Sequence, residues 1–235
     1  MGAGLKAMFV WRPEAGVTLE RFAAGARDEV GSRLAGRGAE DVVLHLTERE
    51  PPRLSVLPWR RSPLALISVH GGEAALAACA EALRALPGAL HGYRVEEALP
   101  VARTRTWPAG TRAPGACLLT LFRKNPKLDR EAFFREWYGT HTPLSLEIHP
   151  LWGYTRNAVQ APLLPGSEPW DGIVTEDFRA KEDLLDPRRL FGGALRCVPN
   201  MARVGLHVSK FLELSTLENY LVEEYVLPSR APSLL

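Results

Sequence analysis

The sequence predicts an α+β fold, two fused ferredoxin-like βαββαβ units forming one α+β barrel, on three observations. The first is an internal repeat. Trp11-Arg12-Pro13 followed by Thr18-Leu19-Glu20-Arg21-Phe22 returns as Phe122-Arg123-Lys124-Asn125-Pro126 followed by Asp129-Arg130-Glu131-Ala132-Phe133. The second is a closing segment that also occurs twice, Tyr93-Arg94-Val95-Glu96-Glu97 and Tyr220-Leu221-Val222-Glu223-Glu224. Repetition on this scale means two copies of one supersecondary unit. The third is the order of hydrophobic periods within each copy: strand, helix, strand, strand, helix, strand, the split βαβ arrangement. One such unit leaves a sheet face bare, and a second copy covers it. The expectation is two sheets packed face to face, helices outside, and room for a small molecule between the sheets.

In the first copy, residues 1–104, Leu5 to Trp11 reads as a buried strand. Thr18 is placed to cap a helix whose Leu19, Phe22, Ala26, Val30 and Leu34 recur at helical spacing, and Gly36 and Gly38 end it. Asp41 to Leu46 and Leu64 to Val69 read as strands. Glu73 to Leu86 is an Ala- and Leu-rich helix stopped by Pro87-Gly88, and Leu90 to Leu99 is the fourth strand. Residues 103–115 are rich in Pro, Gly and Arg and read as a solvated linker. In the second copy, residues 115–235, Ala116 to Arg123 is a strand and Asp129 caps an aromatic helix. Trp152 to Val159 and Ile173 to Phe178 are strands, Lys181 to Leu214 is an interrupted helical region, and Asn219 to Leu227 closes the unit.

With 235 residues, 46% hydrophobic and 24% charged, the chain belongs to the globular class. A net charge of +2 gives no mandate for nucleic acid or for a membrane surface. No apolar run approaches the ~20 residues that span a bilayer. Cys79, Cys117 and Cys197 are odd in number and contain no CxxC, which suits free thiols in a reducing compartment. Met1 to Lys6 has no long apolar run, so the expected location is the cytoplasm. The histidines lack metal-site spacing, and neither a P-loop nor GxGxxG is present. Neither a metal nor a cofactor is expected.

The second copy resembles the EthD family of dimeric α+β barrel proteins over roughly residues 116–228. The resemblance rests on the basic turn Arg123-Lys124-Asn125-Pro126 and on the aromatic helix running into a His-x-Pro, Phe133-Phe134-Arg135-Glu136-Trp137-Tyr138-Gly139-Thr140-His141-Thr142-Pro143. Tyr154-Thr155-Arg156-Asn157, Asp171-Gly172-Ile173 and the closing Val222-Glu223-Glu224-Tyr225 continue it in order. Family members often carry Glu where this chain has Thr175, with its acids displaced to Glu176 and Asp177. Many also carry His where this chain has Tyr225. Some relatives of the barrel bind haem, and His207 is the one histidine near the expected region.

Three residues are the catalytic candidates. His141 can serve as acid or base near neutrality, and its counterpart in the first copy is the aliphatic Val30. The bland alternative is a histidine that hydrogen-bonds at a helix break, with Thr142 capping and Pro143 opening a new helix. On the third strand, Thr175 and Asp177 share one face and Glu176 the other. In the family's register Asp177 and Thr175 face the cavity, and a salt bridge at the strand end is the competing role. Tyr154 is the third candidate, able to polarise a carbonyl or phenolic oxygen. Trp137, Tyr138, Arg123, Asn157 and Thr175 are the expected substrate-binding residues, with core packing the alternative for the aromatics and a turn for Asn157.

The resemblance implies a cofactor-independent enzyme using acid/base chemistry on a small oxygenated aromatic or polyketide-like molecule, by decarboxylation, dehydration, cyclisation or isomerisation. A non-catalytic small-molecule-binding or accessory protein uses the same cavity equally well. The family habit also implies a homodimer.

Overall fold

The computed structural model describes residues 4–228. Met1–Ala3 and residues 229–235, the outermost parts of the two expected copies, lie outside the described residues. The first copy comprises β1 (Leu5–Arg12), α1 (Leu19–Leu34), β2 (Asp41–Leu46), β3 (Ala65–Gly71), α2 (Glu73–Leu83) and β4 (Ala89–Val101). The second opens with β5 (Ala116–Phe122), α3 (Arg130–Phe134), a π-helical turn (Arg135–His141) and α4 (Thr142–Ile148). It continues with β6 (Gly153–Pro162), β7 (Gly172–Phe178), α5 (Lys181–Leu185), α6 (Pro187–Leu190), α7 (Cys197–Phe211) and β8 (Glu218–Leu227).

All eight strands form one closed antiparallel barrel in the order β1-β3-β2-β8-β5-β7-β6-β4. Each half keeps the fourth-first-third-second order of a ferredoxin-like sheet. The halves meet along their edges, β2 on β8 and β4 on β6, rather than face to face. Edge pairing satisfies backbone donors and acceptors that two stacked sheets would leave open, which corrects the face-to-face expectation.

The helix caps follow the sequence chemistry. Thr18 Oγ1 accepts from Arg21 N at 3.3 Å, and Asp129 Oδ1 accepts from Ala132 N at 2.7 Å. The expected helix break at Pro143 does not occur. The chain stays helical from Arg130 to Ile148 by widening to a π turn, in which the Thr142 N–H reaches back to Trp137 O. Pro143, which has no N–H to give, sits in the first turn of α4.

Each strand has an inner face toward the barrel axis and an outer face toward helices. Outside the first half, Phe9, Ile67, Ala26, Val30 and Leu76 pack as one apolar layer. Outside the second half, Phe122, Phe133, Trp137, Val174 and Phe211 do the same. Gly172 makes this possible, because a Cβ there would stand 2.3 Å from the Phe122 ring and 2.8 Å from Trp137.

Two loops cross between the halves. Residues 163–171, between β6 and β7, bring Leu164 into the apolar layer of the first half. Residues 47–64, between β2 and β3, lie on the second half, where Arg60 N donates to Asn219 O at 2.8 Å and Leu57 and Trp59 pack beside Leu118. The interunit segment is not a solvated linker throughout. Its Gly110 and Ala113 N–H groups donate to Val226 O and Glu224 O at 2.7 and 2.8 Å, and the Arg103 guanidinium lies against both Trp107 and Trp152. Among the described residues no helix is long and apolar enough to cross a membrane.

Candidate functional site

A cavity of about 160 Å³ lies between the outer face of the second sheet and its helices. Its floor is made by alternate residues of β5, β6, β7 and β8. Tyr154 and Glu176 are direct cross-strand partners there, so their side chains stand next to each other. The roof comes from the π turn, α4 and α7, with Trp137, His141, Ser145 and Phe211. Leu57 and Pro58, from the crossing loop of the first half, complete the wall.

The π turn positions His141. Its Trp137 carbonyl accepts from Thr142 Oγ1 at 3.0 Å, and Thr142 Oγ1 in turn accepts from Arg156 Nη1 at 2.7 Å. The Arg156 guanidinium also lies 4.0 Å from the centre of the Tyr138 ring. A residue of β6 thereby pins the turn against the sheet. The His141 ring stacks on His207, 5.5 Å between centres, and lies 5.0 Å from Phe211. Its Nε2 is 3.4 Å from Ser145 Oγ, while its Nδ1 has no hydrogen-bond partner among the described residues. Burial, then the neighbouring His207 and His149, lowers its pKa to about 3. His141 is therefore a neutral imidazole at physiological pH.

Glu176 is tuned the opposite way. No salt bridge or side-chain hydrogen bond engages its carboxyl group among the described residues. Burial, then the charge of adjacent Asp177, raises its pKa to about 7. It nevertheless stays half-buried rather than sealed, because its surface opens on the cavity. Burial first, then Glu176, raises the Tyr154 pKa, so that hydroxyl keeps its proton. His149 Nδ1 is 2.9 Å from Leu190 O. A carbonyl only accepts, so Nδ1 carries the proton and Nε2 is left as an acceptor. Thr120 Oγ1 donates to Asn219 Oδ1 at 3.0 Å, which leaves the Asn219 amide N–H groups as donors at the cavity wall.

The structure brings together some of the expected site residues and separates others. His141, Tyr154 and Trp137 share this cavity. Asp177, Asn157 and Thr175 face the barrel interior instead, on the opposite side of the same sheet. Asp177 consequently cannot orient His141. It lies 3.5 Å from Arg103 of the interunit segment, and burial raises its pKa while Arg103 lowers it. Tyr138 is stacked under Arg156, and Arg123 lies 5.3 Å from the centre of the Trp170 ring, so neither lines the cavity.

Sequence reasoning missed Glu176 as a site residue, placing it on the helix face without a role. It also missed His149, Ser145 and Asn219. Period-2 alternation put Glu176 opposite Asp177, but nothing in one dimension says which face of β7 meets the helix carrying His141. His207 was the haem candidate. Its Nε2 is 3.2 Å from Glu136 Oε2 and it does not line the cavity. A space of about 160 Å³ takes one ring and not a tetrapyrrole, so these residues do not fit a haem. Among the described residues no three His, Cys, Asp or Glu side chains converge as a metal site requires.

No protein-family model and no curated protein matches the sequence. Solved structures do match the fold. An anthrone oxidase-like protein superposes with a TM-score of 0.57 at 12% identity, over 99% of this chain and 97% of that one. A putative monooxygenase of Fusobacterium nucleatum superposes with a TM-score of 0.54 at 8% identity, over 97% of this chain and 94% of that one. At these identities the likeness shows the α+β barrel fold alone.

Proposed function

We propose that this chain is an enzyme that moves a proton on a small oxygenated ring compound held between the second sheet and its helices, with no cofactor. One observation carries the reading: a carboxyl group without a partner, Glu176, faces an apolar cavity beside Tyr154 and is poised near neutrality. Glu176 takes a proton from a carbon next to a carbonyl. The C–H bond breaks, the carboxyl O–H forms, and the electron pair moves onto the carbonyl oxygen. Tyr154 and Asn219 supply donors for that oxygen as its charge grows. Glu176 then returns the proton, at the same carbon or another.

The neutral imidazoles of His141 and His149 orient hydroxyl groups rather than carry charge. Trp137 and Phe211 give the flat walls that an aromatic ring stacks on. A cavity of about 150 Å³ holds a benzene-sized ring, which sets the scale of the substrate. Enolisation of this kind is the shared first step of isomerisation, dehydration and cyclisation. The name of one fold neighbour, anthrone oxidase-like, supports an oxygenated ring as the compound class. The EthD-like pattern from Phe133 to Pro143 supports the same reading, with the second half as the site and the first as its scaffold.

The test is solvent-deuterium exchange into a panel of one-ring enones and cyclic ketones, followed by NMR. Wild-type protein accelerates exchange at the activated carbon, with a rate that rises with pH to a plateau above about 7, and Glu176→Gln abolishes it. Equal exchange by the two proteins across the panel overturns the reading and favours a binding or accessory role. The implied homodimer is checked by light scattering, where a mass of 25.9 kDa counts against it.

A further inference from the structure

The barrel interior is divided along its axis. Toward one end Val10, Leu66, Leu121 and Ile173 meet as a closed apolar core. Toward the other, the same strands enclose an open-mouthed space of about 660 Å³. Both halves line it, with Lys6, Ser68 and Glu97 from the first and Asn157, Thr175 and Asp177 from the second. Charges placed inside a barrel are costly unless something pairs with them.

Internal pairing satisfies only part of this set. Lys6 is bonded to Glu97, His70 Nε2 lies 3.1 Å from Glu97 Oε2, and Arg103 joins Glu224 and Asp177. Asn157 is different. It is wholly buried, its Nδ2 donates to Ile173 O at 3.0 Å, and its Oδ1 accepts no hydrogen bond among the described residues. His70 Nε2 donates to the Glu97 carboxylate, and its Nδ1 has no hydrogen-bond partner among the described residues. Gly153 keeps this end hollow, because a Cβ there would stand 2.5 Å from Asp177 Oδ2.

The charge balance selects the ligand class. Glu97, Asp177 and Glu224 are met by Lys6, Arg103, His70 and His45, whereas Glu40 and Asp41, on the same lining, have no ion-pair partner among the described residues, which leaves an excess of acid. A metal ion does not fit, since among the described residues no three ligating side chains converge. Met8, Val43, Leu99 and Val101 add apolar wall that only an organic body would use. We propose that the hollow end of the barrel is a second binding site, distinct from the sheet–helix cavity, for a small aliphatic amine whose N–H donors meet Asn157 and the surplus carboxylates. The interunit segment forms one side of its mouth through Arg103 and Trp107, so the site exists only because the two halves are joined.

Isothermal titration calorimetry with 1,4-diaminobutane and with succinate, a dianion of the same length, tests the proposal. The diamine binds and succinate does not. Asn157→Leu weakens the diamine at least tenfold, and Asn157→Asp, which adds a negative charge at the same place, tightens it at least threefold. A general disturbance of the barrel would move both variants the same way. Circular dichroism identifies a variant that fails to fold, and the wild-type pair of titrations decides independently of it. Absence of diamine binding, preference for succinate, or diamine binding weakened alike by both variants overturns the assignment.

Discussion

β7 carries two neighbouring acids that meet opposite fates. Glu176 points outward into an apolar space under the helices, where no cation of the described residues pairs with it, and its pKa rises to about 7. Asp177 points inward among Arg103, Cys117 and Glu224, where a guanidinium offsets part of the burial. One residue's step along a strand separates a group that can exchange protons at neutral pH from one held in an ionic network. A carboxylate's chemistry is therefore set by the layer its strand face meets, and the two halves show the same rule. The outer face of β3 presents Ala65, Ile67 and Val69 to a fully packed helix layer, so the first half has apolar core where the second has a cavity.

The contrast between the two faces can be broken most severely through Glu176. Glu176→Gln lowers proton exchange by ~10²–10⁴-fold, the usual worth of a positioned acid/base group, while Asn157→Leu on the inner face leaves that rate within about twofold in the same NMR assay. Next in size is the roof. Trp137→Ala removes a buried ring that packs on Phe122 and Phe133, and denaturant unfolding registers a loss of about 3–5 kcal/mol.

Stability against pH sharpens the comparison further. A carboxyl whose folded pKa is raised gives its full stability below the unfolded value near 4.5, and that contribution is lost as pH rises to about 7. Glu176→Gln removes the cost of ionisation, so it is more stable than wild type at pH 8 by about 3 kcal/mol and near wild type at pH 4. Thermal melts at the two pH values read this directly, and an equal shift at both contradicts it. His141 works in the other direction, its depressed pKa withdrawing stability as pH falls from about 6.5 toward 3. The smallest effect crosses the sheet. Asp177→Asn removes the charge that helps raise Glu176, so the midpoint of the exchange profile moves below 7 by a fraction of a pH unit. An unmoved midpoint separates the two faces completely.

Much of the architecture was legible in one dimension, because local chemistry dictates it. Thr18 and Asp129 cap their helices as side-chain oxygens at such positions do, and Asp41–Leu46 is a strand with the expected ends. Alternation along β7 correctly divided Thr175 and Asp177 from Glu176. The repeat itself implied the eight-stranded barrel. Each of these features depends on residues within a few positions of one another, or on the same pattern occurring twice.

What only the tertiary structure decided involves residues far apart in the chain. The sheets closed by edges because β2 found β8 and β4 found β6, a choice that backbone hydrogen bonding makes and side-chain pattern does not encode. His141 shares a cavity with Glu176 rather than Asp177 because the π turn and α7 pack on the outer face of the second sheet. Leu57 reached that cavity from the other half, and Arg103 left a Pro- and Gly-rich segment to neutralise a buried acid. The sequence by itself determined which side chains share a strand face. Packing between distant elements determined what each face meets, and with it which of two adjacent acids is free to carry a proton.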